Sequence, residues 1–267
     1  MTRKTLAVLG TAFGLTACLN TAEPFGADTD YGFLVLEART APEAGFVVNP
    51  LAIFYRTGPV LLPTSQTALD TCFVRAIEDD GSAPVYPPTV HAGEPLTMLL
   101  SGMQTTLTRQ NVAGTWMYLP DPGTAGSVTF TPGDSVTITI PGAADGFASL
   151  TQKAKTAEPF THSPVEVPLE GEPVQLRWTA STILGSKMLV SLRYSPASAP
   201  GTMRQIICDL TDDGVYDIGS IISDEWRTSD PLPGDITFSR WRITTDLGRN
   251  SAFLTISTFE LPTPLVP

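Results

Sequence analysis

Histidine is almost absent from this chain, with His91 and His162 the only two in 267 residues. General acid and base chemistry near neutral pH most often recruits histidine, so this scarcity speaks against His-dependent catalysis. His91 sits between Thr89-Val90 and Ala92-Gly93, and His162 between Phe160-Thr161 and Ser163-Pro164, both in loop-like sequence. Cations are also few, 16 Lys and Arg against 27 Asp and Glu, for a net charge of −11. Gripping phosphate backbones needs clustered cations that displace counterions, so nucleic acid is not an expected partner, and anionic lipid surfaces are disfavoured for the same reason. The sequence holds no Gly-x-Ser-x-Gly elbow, no His-Glu-x-x-His helix, no phosphate-binding loop and no dinucleotide fingerprint. No apolar run reaches the roughly 20 residues that a membrane-crossing helix requires. The resulting expectation is a protein without a cofactor and without enzymatic turnover. The reading least affected by these absences is a carboxylate-pair hydrolase, because many acids allow many pairs and sequence does not fix their separation.

What is present begins at the N-terminus. Arg3 and Lys4 precede an apolar stretch from Leu6 to about Leu15, the layout of a signal peptide. The stretch ends in Leu15-Thr16-Ala17-Cys18, which resembles the lipobox of bacterial lipoproteins, where cleavage precedes a diacylglycerol-modified cysteine. The resemblance implies lipidation at Cys18, removal of residues 1–17 and membrane attachment through acyl chains, each buried methylene contributing about 0.8 kcal/mol. Leu19 stands where enterobacterial lipoproteins held in the inner membrane carry Asp, which favours the outer membrane of the cell envelope. The mature chain of 250 residues would carry a charge of −13 and only 14 scattered cations. Residues 18–29 are small and polar without periodicity, as a flexible tether is.

Beyond the tether, apolar and polar residues alternate with period two. Val136, Ile138 and Ile140 alternate with Ser and Thr; Val174, Leu176 and Trp178 alternate with Gln175, Arg177 and Thr179; Met188, Val190, Leu192 and Tyr194 form the cleanest series. Such alternation puts one face inward and the other toward water. Further strands are expected at 31–39, 46–55, 72–77, 95–100, 115–119, 128–130, 203–210, 236–245 and 253–261, separated by turns such as Pro132-Gly133-Asp134 and Asp213-Gly214. Gly219 to Trp226 is the one helical candidate. The class is all-β, of immunoglobulin-like or β-sandwich type. The pattern lapses between residues 142 and 164, which predicts two sandwich domains, 30–155 and 156–267, with a single bent sandwich as the alternative.

A string in the second half, Gly133-Asp134-Ser135-Val136, Gly142, Phe147, Pro164, Pro168, Trp178-Thr179, Ile206-Ile207-Cys208, Asp212-Asp213-Gly214 and Tyr216-Asp217-Ile218, resembles a group of uncharacterised bacterial lipoproteins with β-rich exported domains. The resemblance covers about residues 130–225 and the leader. It implies a compartment and a fold, and it carries over no catalytic residue.

Three sets of candidate site residues stand out. Asp209, Asp212, Asp213 and Asp217 form the densest acidic cluster, and calcium takes six to eight oxygens. Aligned with a calcium loop that starts at Asp209, however, Ser220 falls where a bidentate Glu is needed, so a hairpin turning at Asp213-Gly214 is the simpler reading. Cys72 and Cys208 remain once Cys18 is lipidated, and a disulfide between them requires their strands to be brought together. Trp116 with Tyr118, Trp226 and Trp241 are candidate stacking platforms for sugars, against the ordinary reading of core packing. The leading expectation is a lipid-anchored envelope protein with a structural or protein-interaction role, its partner an envelope protein or glycan. A carbohydrate- or calcium-binding module and an exported hydrolase are the alternatives.

Overall fold

The computed structural model describes residues 29–41, 45–56, 70–77, 88–121, 127–196, 202–227, 236–248 and 251–263. Cys18, the leader 1–17 and the tether as far as residue 28 lie outside the described residues. The all-β expectation holds. The strands are β1 (Asp30–Ala41), β2 (Gly45–Tyr55), β3 (Thr71–Ile77), β4 (Leu96–Leu100), β5 (Met103–Val112), β6 (Thr115–Pro120), β7 (Val128–Thr129), β8 (Ser135–Ile140), β9 (Leu150–Lys155), β10 (Val174–Arg177), β11 (Ser186–Tyr194), β12 (Met203–Thr211), β13 (Val215–Ile218), β14 (Ile236–Leu247) and β15 (Ser251–Thr263). Among the described residues one helix, α1 (Ser220–Arg227), falls where the sequence suggested it.

A single hydrogen-bonded path runs β3-β12-β11-β14-β15-β1-β2-β6-β5-β4-β8-β9, with β7 joined to the side of β2. β1 is the hub of this path. It pairs in parallel with β15, Asp30 opposite Ser251 through Ala38 opposite Phe259, and antiparallel with β2. β3, from the first half, pairs along its whole length with β12 from the second. The expected division at residue 155 is therefore not how this sheet is organised, since hydrogen bonding interleaves strands from both sides of that position. The lapse in pattern that suggested a boundary contains β9, whose inward positions are Gln152 and Ala154 in place of large apolar side chains.

The path is long enough to fold over on itself and make a sandwich-like pair of layers. Gln152 on β9 donates to the carbonyls of Thr244 on β14 and Phe253 on β15, both at 3.3 Å, and accepts from the Thr255 hydroxyl. The Ala157 N–H donates to Ser257 Oγ at 2.9 Å, a second tie between the same layers. Between them lies the main core, with Leu34, Leu36 and Phe54 from one layer and Met98, Val136 and Ile138 from the other. The two-stranded sheet β10-β13 adds Val174, Leu176 and Ile218 to this core, and α1 adds the fully buried Trp226. On the opposite face of β1, β2, β11, β14 and β15 a second buried cluster includes Tyr31, Ile53, Leu189, Trp241 and Leu254. Burial of β1 on both faces explains why 31–36 reads as a near-continuous apolar run with weak alternation.

The expected hairpin at Asp213-Gly214 is corrected by this topology. β12 and β13 do turn there, but they do not pair; β12 lies between β11 and β3, whereas β13 leaves the sheet to pair with β10. Buried side chains on both sides of β12 call for neighbours in the large sheet, and the short β13, with only Ile218 buried, suffices for a two-stranded ribbon.

Gly32 sits at the middle of this construction. Its two cross-strand partners are Phe253 on β15 and Phe54 on β2. Their rings stack over it with centroids 6.0 Å apart and planes 19° from parallel. A Cβ built at Gly32 would stand 2.6 Å from Phe253 and 2.7 Å from Phe54. Overfilling a packed interior forces rings off their rotamers, so Gly32→Ala is expected to destabilise by ~1–3 kcal/mol, read by urea unfolding of the purified protein.

Candidate functional site

The four Asp residues of the candidate calcium loop are carried to different surroundings. Asp209 points to the second-cluster face of β12 and pairs with Lys187 Nζ at 3.0 Å. Asp212 turns into the interior to meet Arg240 and Trp178. Asp213 caps its own turn, accepting from the Val215 N–H at 3.2 Å, and Asp217 pairs with Arg177 at 2.7 Å on the surface. Among the described residues no group of three or more His, Cys, Asp or Glu side chains could hold a metal ion. The EF-hand-like failure at Ser220 has a structural counterpart, because Ser220 begins α1 and lies beyond β13.

Asp212 belongs to a polar knot that sequence reasoning missed. Arg240, on β14, is 1% exposed at its side chain and Asp212 3%. The guanidinium donates from Nε to Asp212 Oδ2 at 2.7 Å and from Nη2 to Asp212 Oδ1 at 3.0 Å. Its remaining donors reach the carbonyls of Glu158, Pro159 and Thr179. The Trp178 indole N–H adds a 2.9 Å bond to Asp212 Oδ1, and the Phe160 ring lies 5.1 Å from the guanidinium carbon. Beside this knot, burial pushes the Glu158 carboxyl up, but hydrogen bonds from Ser181 and Thr182 and the Arg240 charge outweigh it and leave its pKa lowered. The flanking sequence Ser239-Arg240-Trp241 alternates correctly; nothing in it says that the Arg faces inward and the Trp faces the second cluster. A charge buried without its partner is costly, so Arg240→Met is expected to destabilise by ~3–5 kcal/mol. Pairing it with Asp212→Leu should recover a large part of that loss, measured by chemical denaturation of both variants.

Cys72 and Cys208 are directly opposed in the register of β3 and β12, with Cα atoms 4.0 Å apart, and form a disulfide. The bond fastens β3, at one end of the path of described strands, to β12. Cys72 is partly buried and Cys208 fully buried, both against the main core, so the two thiols share one core.

The histidines lie in separate places. His91 Nδ1 accepts from the Gly93 N–H at 2.9 Å, and the ring meets Tyr118 edge-on. His162 stacks flat on Phe238, centroids 4.7 Å apart, and forms a bridge to Trp178. Of the aromatic candidates, Trp226 and Trp241 are buried, and Trp241 donates to Ser239 Oγ at 2.7 Å. Trp116 and Tyr118 share a strand face as expected, but only Trp116 is exposed. Tyr118 is covered by Phe54 and accepts from the Ala92 N–H at 2.8 Å. The Arg109 guanidinium lies 4.4 Å over the Trp116 ring and so occupies one of its faces.

Two acids far apart in sequence share one face of neighbouring strands. Glu37 on β1 and Glu260 on β15 lie on the second-cluster face of adjacent parallel strands, where Glu37 is in register with Thr258. Burial pushes the Glu260 carboxyl above its ordinary range and the Glu37 charge adds to the shift, opposed by a hydrogen bond from Ser239. Burial likewise raises Glu37, against the pull of Arg39. Their separation of over 200 residues hid this pair from sequence analysis. The native state holds these protons to higher pH than the unfolded chain does. Their contribution to stability is therefore full below the ordinary carboxylate range and is lost as pH rises through the raised native values. Glu260→Gln is expected to gain stability relative to the wild type as pH rises toward neutrality, with the difference vanishing in acid, measured by urea unfolding across that range.

No helix among the described residues is long and apolar enough to cross a membrane. In comparisons with known proteins, no family model, no curated protein and no solved structure matches this chain.

Proposed function

We propose that this protein is a lipid-anchored component of the bacterial cell envelope, outer-membrane attached, that works by presenting a rigid β-sandwich surface to another envelope component. The observation that carries the reading is the use made of interior charge. Arg240 and Lys187 are each bound to a carboxylate within the fold. Interior ion pairs of this kind tie neighbouring strands together and so support a rigid, surface-presenting role. The Leu15-Thr16-Ala17-Cys18 pattern supplies the address, and the acidic balance leaves lipid as the means of attachment.

An exported hydrolase is the second reading, and the Glu37–Glu260 pair is what favours it. Two coupled carboxyls with raised pKa values can divide into a proton donor and a base. Turnover of a glycan or ester by the purified protein that disappears in Glu260→Gln would move the assignment to this reading.

Membrane partitioning and intact mass of the wild type beside Cys18→Ala test the first. The wild type is expected to be shortened by 17 residues, acylated and membrane-bound, and the variant soluble. Identical processing and solubility of the two would remove the lipid anchor from the proposal.

A further inference from the structure

The pair formed by Lys187 and Asp209 does something that the Arg240 knot does not: it leaves polar atoms over. Lys187 and Asp209 are 3% and 2% exposed at their side chains, and Nζ stands 3.0 Å from Oδ2. This is the one hydrogen bond described for either side chain, and Asp209 Oδ1 is buried with no partner. An ammonium has three donors to place and a carboxylate about four acceptor sites, so a buried pair joined by one contact retains most of its desolvation penalty. In the Arg240 pair, by contrast, each of the five N–H donors has an acceptor. The two strands hold the partners in a fixed relation. Lys187 on β11 lies opposite Thr211, and Asp209 on β12 opposite Leu189, so the two side chains reach toward each other diagonally on one face. Trp241, opposite Lys187 on β14, and the buried Leu189 and Ile207 make the surroundings apolar.

We propose that Lys187 and Asp209 condense within the folded protein to an amide that covalently joins β11 to β12. The reaction starts from the neutral form of the pair, in which one proton has passed from the ammonium to the carboxylate. The Nζ lone pair then attacks Asp209 Cγ and forms the N–C bond. The C–O bond to the hydroxyl breaks, and that hydroxyl leaves with a second amine proton as water. The product keeps one N–H and one carbonyl. Nothing is oxidised or reduced, and no co-reactant is consumed. Burial holds the carboxyl of Asp209 above its ordinary range, with the charge of neighbouring Asp70 adding to the effect and Lys187 opposing it. Asp70 is fixed for this role, since its carboxylate accepts from both the N–H and the hydroxyl of Thr211, at 2.6 and 2.8 Å. Fixed orientation of nucleophile and electrophile in a dry site replaces an encounter with an intramolecular step.

The product would sit beside the disulfide. Cys208 precedes Asp209 on β12 and projects from the opposite face, so β12 would be tied to β3 through one face and to β11 through the other.

The test is made on the purified full chain, denatured, reduced and digested, with the fragments sequenced by tandem mass spectrometry. The expected product is a branched fragment that contains Lys187 and Asp209 and is lighter by one water than its two linear parts. Lys187 should also resist an amine-reactive reagent in the denatured protein. The branched fragment should be absent from Lys187→Met. Recovery of Lys187 in a linear fragment with a reactive amine overturns the proposal. So does a water deficit that maps to a cyclic imide at Asp213-Gly214 in an unbranched fragment. Both outcomes are read on the wild type, so the result does not depend on whether the variant folds.

Discussion

A guanidinium in a dry interior has to place all five of its N–H donors, and Arg240 does so on three stretches of chain far apart in sequence. Asp212 lies between β12 and β13, Glu158 and Pro159 follow β9, and Thr179 follows β10. These are the places where the chain leaves the large sheet, crosses between layers or enters the small sheet β10-β13. Fixing them to one side chain on β14 sets the distance between layers and the position at which β13 departs. The apolar contacts of the main core could be satisfied by several offsets of the layers, because dispersion and apolar burial are not directional. The bidentate contact with Asp212 is directional, and so it selects among those offsets.

The two faces of the central strands divide the remaining work. The inward face is filled by rings and branched side chains, with Gly32 leaving room for Phe54 and Phe253 to meet. The other face starts apolar around Tyr31 and Leu254 and becomes polar toward Glu37, Glu260 and Ser239 on one side and Lys187 and Asp209 on another. Three carboxyl groups on this second face, Glu37, Glu260 and Asp209, are raised first by burial, and for Glu260 and Asp209 a neighbouring like charge adds to the shift.

Strand positions and the all-β class were legible because alternation at 136–140 and 188–194 follows directly from one buried face per strand. β5 was not legible: its sequence Met-Gln-Thr-Thr-Leu-Thr-Arg-Gln-Asn-Val buries only Leu107, so no periodic signal is left. β9 was missed because Gln152 takes an inward position that polar bonding across the layers makes acceptable. Pairing was harder to read than strand position. A strand such as β13 carries the same local pattern whether it returns along β12 or moves to β10, and the deciding contacts are with Trp178 and Arg240, remote in sequence. The acidic cluster 209–217 was visible as composition, but its members alternate between faces and leave the strand, so proximity along the chain did not become proximity in space. Conversely, Glu37 and Glu260 are neighbours only because β1 and β15 are.

That parallel pairing of β1 with β15 bears on when the protein can fold. β1 enters the chain early and is bounded by β2, a local partner, and by β15, which is the last described strand. Until residues 251–263 are available, the edge of β1 where β15 belongs has no partner, and Phe54 lacks Phe253 across Gly32. Contacts of such long range raise the loop-closure cost of reaching the native topology and slow its formation. On the proposed reading of the chain as exported, the delay would keep the first described strand from completing a sheet ahead of the last described one.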